Sequence, residues 1–166
     1  MAESIALYLK INGKDVAGES SIEKSAGEDR SKSIEVFSLQ CEAATPRDVS
    51  SGRSSVSARQ FKPIDIIKKF DRSSPLLFQA LTQNQTVAGE FKFFRANPDT
   101  GVMEFFFSIK FEHGRVVGVK QIVHPIYDKE SANLAPLEHV SFTFGEITWT
   151  CKTANTEFTD KFSERM

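Results

Sequence analysis

The side chains that most often bind metals or transfer protons are few in this chain and widely spaced. Histidine occurs at positions 113, 124 and 139, and two of the three directly follow a glutamate, as Glu112-His113 and Glu138-His139. Adjacent residues of a β-strand point to opposite faces of the sheet, so neither pair brings its carboxylate and imidazole together. The sequence therefore predicts no metal site and no bound cofactor.

Covalent catalysis also lacks its usual sequence signatures. The chain contains no G-x-S-x-G elbow, no H-E-x-x-H, no C-x-x-C and no glycine-rich phosphate loop. Cys41 and Cys151 fall on the apolar side of predicted strands, where a free cysteine behaves as a small hydrophobe. We therefore expect that the protein is not an enzyme and has no catalytic residues.

Length and charge limit the remaining function classes. A chain of 166 residues forms one domain with its own core, and its 21 basic and 22 acidic residues leave a net charge of -1. Nucleic acids and anionic membranes attract a basic surplus, so neither is an expected partner. No apolar run reaches the roughly 18 residues of a membrane span, and the opening MAESIALYLK alternates instead of forming a signal-peptide core. We expect cytoplasmic synthesis, without membrane insertion or a cleavable signal peptide.

Alternation of apolar and polar residues predicts β-strands along most of the chain. Residues 5–11 carry large aliphatic side chains at odd positions, and further strands are predicted in residues 57–67 and 115–124. The apolar phase changes within residues 33–41 and again at Gly145. Such a change needs a bulge or a bend, and at Gly145 we predict a β-bulge.

One segment, about residues 74–83, has the pattern of an α-helix. Ser74 before Pro75 predicts an N-cap followed by a proline in the first turn, and Leu77 and Leu81 stand one turn apart on one face. Many short strands with one small helix are typical of an antiparallel β-sandwich or a closed β-barrel.

Two polar stretches interrupt this pattern. Residues 44–57, ATPRDVSSGRSSVS, are rich in serine and contain proline and glycine, which predicts a long extended loop. Residues 153–166 form a polar C-terminal tail that contains two phenylalanines. Neither stretch has a core of its own, so we treat residues 1–166 as a single domain.

Seven of the fifteen phenylalanines fall in residues 90–112, on both sides of the turn sequence NPDTG. A hairpin in which Phe93 faces Phe105 places most of them on a core side, but it puts Phe94 and Phe106 together on the opposite, polar side. Exposing these two rings forgoes about 1.5 to 3 kcal/mol each. We therefore expect the helix, the tail or another subunit to cover them.

A series of motifs along nearly the whole chain resembles the Hcp family, the haemolysin co-regulated proteins. The motifs are ALYLKING (6–13), GES (18–20), SIEVFS (33–38), PRD (46–48), ARQFKP (58–63), FDRSSPLLFQAL (70–81), EFKFFRAN (90–97) and EITWT (146–150). Their collinear order carries the resemblance, since no single motif is diagnostic. The chain departs from the family in having Asn84 where glycine is frequent, and Phe93-Phe94 where the aromatic pair often includes Trp or Tyr.

The resemblance implies a mainly β fold, an antiparallel two-sheet β-barrel with one short flanking α-helix. It also implies a tube subunit of the bacterial type VI secretion system, a homohexameric ring whose copies stack into a hollow tube. The implied partners are the protein itself, the VgrG spike trimer, contractile sheath proteins and small effector proteins carried in the lumen. Sheath contraction would expel the tube to the exterior or into a target cell.

The family's ring-stacking element is an extended loop between the second and third strands, which maps to residues 44–57. The loop residues expected at ring contacts are Arg47, Asp48, Ser50, Ser51 and Arg53, while Phe94 and Phe106 are expected to meet adjacent subunits. The alternative is a monomeric β-barrel that binds an apolar small ligand, because abundant phenylalanine could line a cavity.

Overall fold

The computed structural model describes residues 3–45 and 59–162, and this part of the chain contains one helix and fourteen strands. The elements are β1 (Ser4–Ile11), β2 (Lys14–Val16), β3 (Lys24–Ser25), β4 (Glu28–Asp29), β5 (Ile34–Val36), β6 (Ser38–Gln40), β7 (Ala43–Ala44), β8 (Gln60–Phe61), β9 (Ile64–Lys69), α1 (Ser74–Thr82), β10 (Val87–Ala96), β11 (Met103–Ile122), β12 (Leu137–Thr143), β13 (Glu146–Cys151) and β14 (Thr156–Lys161).

The strands form an antiparallel two-sheet β-barrel, which confirms the predicted fold class. β11 belongs to both sheets: its first half pairs with β10 and β13, and its second half pairs with β12. On one side β10 continues to β1, and on the other side β12 continues to β9. β5 pairs with β1 and β6 with β9, so the short segment that contains both strands reaches from one sheet to the other. The hydrogen-bonded ladder is not continuous there, because the chain changes partners at Phe37.

Aliphatic and aromatic side chains fill the space between the sheets. The Phe91 and Phe111 rings lie 5.8 Å apart, and the Phe111 and Phe142 rings lie 5.2 Å apart. Buried aliphatic residues from several strands and from α1 complete the core, among them Leu7, Ile34, Ile64, Ile66, Leu77, Val140 and Ile147. The interior is therefore packed with the protein's own side chains.

The two predicted phase changes mark places where the chain passes between sheets. Within residues 33–41, buried Ile34 and Val36 belong to β5, Phe37 is exposed, and β6 begins at Ser38. The predicted β-bulge at Gly145 is wrong, because Gly145 lies in the connection between β12 and β13. β12 pairs with the second half of β11 and β13 with its first half, so the chain passes from one sheet to the other at this connection. The alternation was a correct sign of a direction change, but it could not tell a bulge from a sheet crossing.

The predicted helix is confirmed as Ser74–Thr82, with Leu77 and Ala80 buried against the barrel. Its N-terminus differs from the prediction: Ser73 is the N-cap, and its side chain makes no capping bond. The Asp71 carboxylate instead accepts the Ser73 backbone N–H at 2.9 Å. Asn84 follows the helix with a φ of 50°, a left-handed conformation that asparagine adopts more readily than most residues.

Buried charges join the start of α1 to β9 and β12. Lys68 and Glu138 are fully buried, and Lys68 Nζ lies 2.9 Å from both Glu138 Oε2 and Asp71 Oδ1. The Gln121 side-chain amide donates to the other Glu138 oxygen at 2.8 Å. One ammonium thus compensates two carboxylates, one from β12 and one from the segment between β9 and α1.

The phenylalanine-rich hairpin forms, but its predicted register is wrong, by two residues up to Phe93 and by one residue from Phe94 to the turn. Phe93 pairs with Phe107 rather than Phe105, and Phe94 pairs with Phe105, which makes Phe106 the extra residue of a β-bulge. At a bulge two consecutive residues oppose one, so the alternation of faces is interrupted. The Phe106 ring accordingly lies 6.4 Å from the Phe93 ring, and the Phe105 ring lies 5.6 Å from the Phe94 ring.

Candidate functional site

The predicted extended loop begins and ends on a short hairpin stem. β7 pairs with β8 through Ala43 with Phe61 and Ala44 with Gln60. Below these pairs, the Lys62 N–H donates to the Glu42 carbonyl at 3.0 Å, and the two side chains form an ion pair at 3.2 Å. The expected ring-contact residues lie outside the described residues: Arg47, Asp48, Ser50, Ser51 and Arg53.

The stem is fixed to the C-terminal strand by charge and by aromatic packing. The Arg59 guanidinium forms a two-point ion pair with the Asp160 carboxylate of β14 and lies 4.9 Å from the centre of the Phe162 ring. The ring of Phe61 lies against three aromatic neighbours, Phe144, Trp149 and Phe162, with centroids 5.0 to 6.1 Å away. Both ends of the loop thus start from a rigid base.

Phe94 is covered within its own subunit. Its side chain has no exposed surface, and the Arg30 guanidinium lies 4.3 Å from its ring centre. Arg30 follows the β3–β4 hairpin, is itself fully buried, and donates from Nη1 to Ser4 Oγ at 2.9 Å. Burial lowers the pKa of Arg30. The cover is therefore neither the helix nor the tail, because the β3–β4 hairpin places Arg30 over this face of the sheet.

Phe106 lies on the opposite face from Phe94 and is half-buried. The Arg95 guanidinium lies 4.4 Å from its ring centre, and Arg95 Nε pairs with Glu104 Oε1 at 2.9 Å. The two phenylalanines therefore do not form the joint surface patch that the sequence register predicts. Their contact with a neighbouring subunit stays a prediction, and Phe106 is the one that retains exposed surface.

Among the described residues, one exposed apolar segment was not predicted from the sequence. It is the β11–β12 connector, residues 123–136, in which four large apolar side chains are exposed: Val123, Ile126, Tyr127 and Leu134. Tyr127 is 94% exposed, which is far more than an aromatic side chain packed on its own subunit retains. Apolar groups clustered on one exposed segment mark interaction surfaces more often than isolated ones do.

β14 offers a second exposed feature. In the described part of the chain it pairs with β13 alone, so its other edge carries free backbone donors and acceptors. Phe158 on this strand is 63% exposed, although its ring stacks on Trp149 at 6.0 Å. An open strand edge is a ready template for pairing with another chain.

The two cysteines have different surroundings. Burial raises the pKa of the Cys41 thiol, which disfavours the reactive thiolate. A hydrogen bond with the Thr153 hydroxyl lowers the pKa of the Cys151 thiol. Among the described residues, no helix has the length and apolar character needed to span a bilayer.

A sequence model of the family described as type VI secretion system effector, Hcp, matches residues 8–151. The chain belongs to the Hcp family. This family belongs to type VI secretion, and the predicted family resemblance is confirmed.

Individual relatives agree with this assignment. The Major exported protein of Pseudomonas aeruginosa is 32% identical over 143 residues, which cover 86% of this chain and 82% of that protein. A double-tryptophan variant of Hcp1 from the E. coli EAEC 042 pathovar has a TM-score of 0.81 at 31% identity, and the match covers 97% of this chain and 99% of that one. The secreted protein Hcp3 from Pseudomonas aeruginosa, at 24% identity and a TM-score of 0.75, shares the fold over 97% of this chain and 99% of that one.

Proposed function

We propose that this protein is a tube subunit of the type VI secretion system, which assembles into homohexameric rings that stack into a hollow tube. The observation that carries the proposal is the family match over residues 8–151, together with a fold likeness that extends over 97% of the chain. A structural role of this kind requires no bond-breaking chemistry. It requires surfaces that recognise other copies of the same chain.

Contacts within a ring are assigned to the exposed apolar surface. The β11–β12 connector and the open edge of β14 carry apolar side chains and unpaired backbone groups in the described part of the subunit. Burying such groups against a second copy is favourable at about 25 cal/mol per Å² of apolar area. Phe106 contributes to the same kind of contact through its exposed portion. Phe94 is fully buried beneath Arg30, so it would support the interface only by stabilising the sheet.

Contacts between rings are assigned to the loop that the β7–β8 stem presents. The loop sequence RDVSSGRSS is polar and offers little apolar area, so each stacking contact is weaker than a contact within the ring. Arg47, Asp48 and Arg53 would supply charged hydrogen bonds, and Ser50 and Ser51 neutral ones. A weak stacking contact suits a tube that must both assemble and come apart.

The remaining partners follow from the same assignment. The tube would end at the VgrG spike trimer, lie inside contractile sheath proteins, and hold small effector proteins in its lumen until expulsion. The subunit would thus be made in the cytoplasm and leave the cell when the tube is expelled. Co-purification of a tagged subunit with spike and effector proteins from a producing cell tests these partnerships.

Light scattering on the purified full-length protein tests the ring. Six copies of the 18.6 kDa subunit give a mass of about 112 kDa. The double replacement of Ile126 and Tyr127 by serine should reduce this mass. Replacing Val102, which is similarly exposed and lies in the β10–β11 turn, by serine should not. A monomeric mass for the unmodified protein at micromolar concentration would contradict the ring.

The alternative of a ligand-binding monomer receives less support from the packing. The aromatic side chains that could line a cavity instead contact one another across the interior, as the Phe91, Phe111 and Phe142 rings do. Two pockets among the described residues, of about 500 and 530 Å³, are open to the surface; the first lies along β6, β9, β11 and β12, and the second lies beside the starts of β1 and β5. A monomer with bound lipid would favour this alternative.

A further inference from the structure

Three potential metal ligands meet where β11 changes partner strands. They are Glu112, His113 and Glu146, and their ligand atoms all lie within 4.8 Å of one another. Glu112 and Glu146 are half-buried, and His113 is exposed. The expectation that Glu112 and His113 point to opposite faces is therefore wrong.

The backbone explains why the two neighbours share one side. Glu112 and Glu146 are the last directly paired residues of the β11–β13 ladder, and the β11–β12 ladder starts at Arg115. Between the ladders His113 has a φ of 54°, a left-handed conformation that breaks strand alternation. Gly145 makes this possible, since a Cβ on it would lie 3.1 Å from the His113 Cβ.

The two carboxylates at this junction are only partly compensated by lysines: Lys161 is the cross-strand neighbour of Glu146 in β14, but among the described residues it forms no ion pair with Glu146. Two carboxylates placed directly opposite each other on antiparallel strands repel. Lys110 Nζ lies 3.3 Å from Glu112 Oε1 and offsets part of this charge. Glu146 forms no ion pair with any side chain in residues 3–45 or 59–162.

We propose that Glu112, His113 and Glu146 bind one divalent first-row transition metal ion, with Zn²⁺ as the representative. An imidazole nitrogen with two carboxylate oxygens suits Zn²⁺ better than Mg²⁺ or Ca²⁺, which prefer all-oxygen sites. Ligand atoms around a tetrahedral Zn²⁺ lie about 3.4 Å apart, given bonds of about 2.1 Å. Small rotations of these exposed or half-buried side chains close the present separation. The fourth position would hold water, and the ion would tie β11 to the start of β13.

Isothermal titration of the full-length protein with ZnCl₂ tests the proposal. We expect one ion per chain, and a rise in melting temperature of about 5 °C or more when free Zn²⁺ exceeds its Kd about a hundredfold. His113→Asn should weaken binding at least about tenfold, a loss that even an outer-shell change can cause. Asparagine is chosen because it tolerates the left-handed backbone at this position.

Two further variants keep the result interpretable. Glu146→Gln removes a ligand without touching the strained residue, so it tests the site even if His113→Asn folds poorly. His139→Asn removes an exposed histidine from β12 and should leave the affinity unchanged. The proposal is overturned if the unmodified protein binds no Zn²⁺, or if the His113→Asn and Glu146→Gln variants both bind it as tightly as the unmodified protein does.

Discussion

Lys68 is the residue whose surroundings most constrain its substitution. It is fully buried, and its ammonium is compensated by Glu138 and Asp71 at 2.9 Å each. Replacing both members of a buried pair by apolar groups is often neutral, but removing one leaves the other charged and unpaired. The ion pairs therefore add little net stability, but the loss of either carboxylate would leave the buried Lys68 charge less well compensated.

Glu138→Gln should lower the free energy of unfolding by about 3 to 5 kcal/mol, because it removes half of the compensation of the Lys68 charge while preserving side-chain shape. Urea denaturation at fixed protein concentration measures this loss. Glu23→Gln, at an exposed carboxylate just before β3, is the matched control and should change little. Equal midpoints for Glu138→Gln and the unmodified protein would contradict the assigned role of the network.

Phe94 and Phe106 should respond differently to serine, although the sequence places them in equivalent positions. Phe94→Ser removes a fully buried ring and exposes Arg30 to an empty space, so we expect a loss of about 3 to 5 kcal/mol in unfolding free energy. Phe106→Ser removes a half-buried ring beside Arg95 and should cost clearly less.

Urea denaturation and light scattering on the two variants separate folding from assembly. We expect Phe94→Ser to shift the unfolding midpoint, and Phe106→Ser to reduce the mass of the assembly with a smaller shift in that midpoint. If Phe106→Ser retains both the mass and the midpoint of the unmodified protein, Phe106 has no part in the interface.

At the scale of elements, local sequence patterns were sufficient to predict a strand or helix whose structure depends mainly on its own residues. The alternation in residues 5–11 predicted β1, and the Ser-Pro start with spaced leucines predicted α1. The predicted strand over residues 57–67 is divided, because Lys62 and Pro63 separate β8 from β9. The strand predicted over residues 115–124 is the second half of the longer β11.

Pairing between elements was less predictable, because register depends on irregular residues that alternation does not reveal. One bulged residue, Phe106, exchanged the faces of Phe105 and Phe106 relative to β10. One left-handed residue, His113, brought its imidazole to the side of the Glu112 carboxylate. The cover of Phe94 by Arg30 joins residues 64 positions apart, which no local pattern can show.

At the scale of the whole molecule, the proposed tube requires two kinds of self-contact. A head-to-tail contact that closes by rotation gives a ring of fixed size, while a contact that repeats along an axis gives an open-ended tube. Apolar surface on the β11–β12 connector and β14 suits the first, and the polar loop on the β7–β8 stem suits the second. Because different residues carry them, the two contacts should be separable by mutation.

Deleting residues 47–55 should therefore leave rings intact and abolish tubes. The deletion removes Arg47, Asp48, Ser50, Ser51 and Arg53 while it keeps the β7–β8 stem and the Arg59–Asp160 ion pair that fixes it. Light scattering should still give about six subunits, and electron microscopy should show rings without tubes. Replacing the five named residues by alanine within the full-length loop is a second test: it preserves loop length but removes the polar contacts, so it should also give rings without tubes. Normal tubes from the deletion would refute stacking through this loop, and monomers would show that the loop also serves the ring.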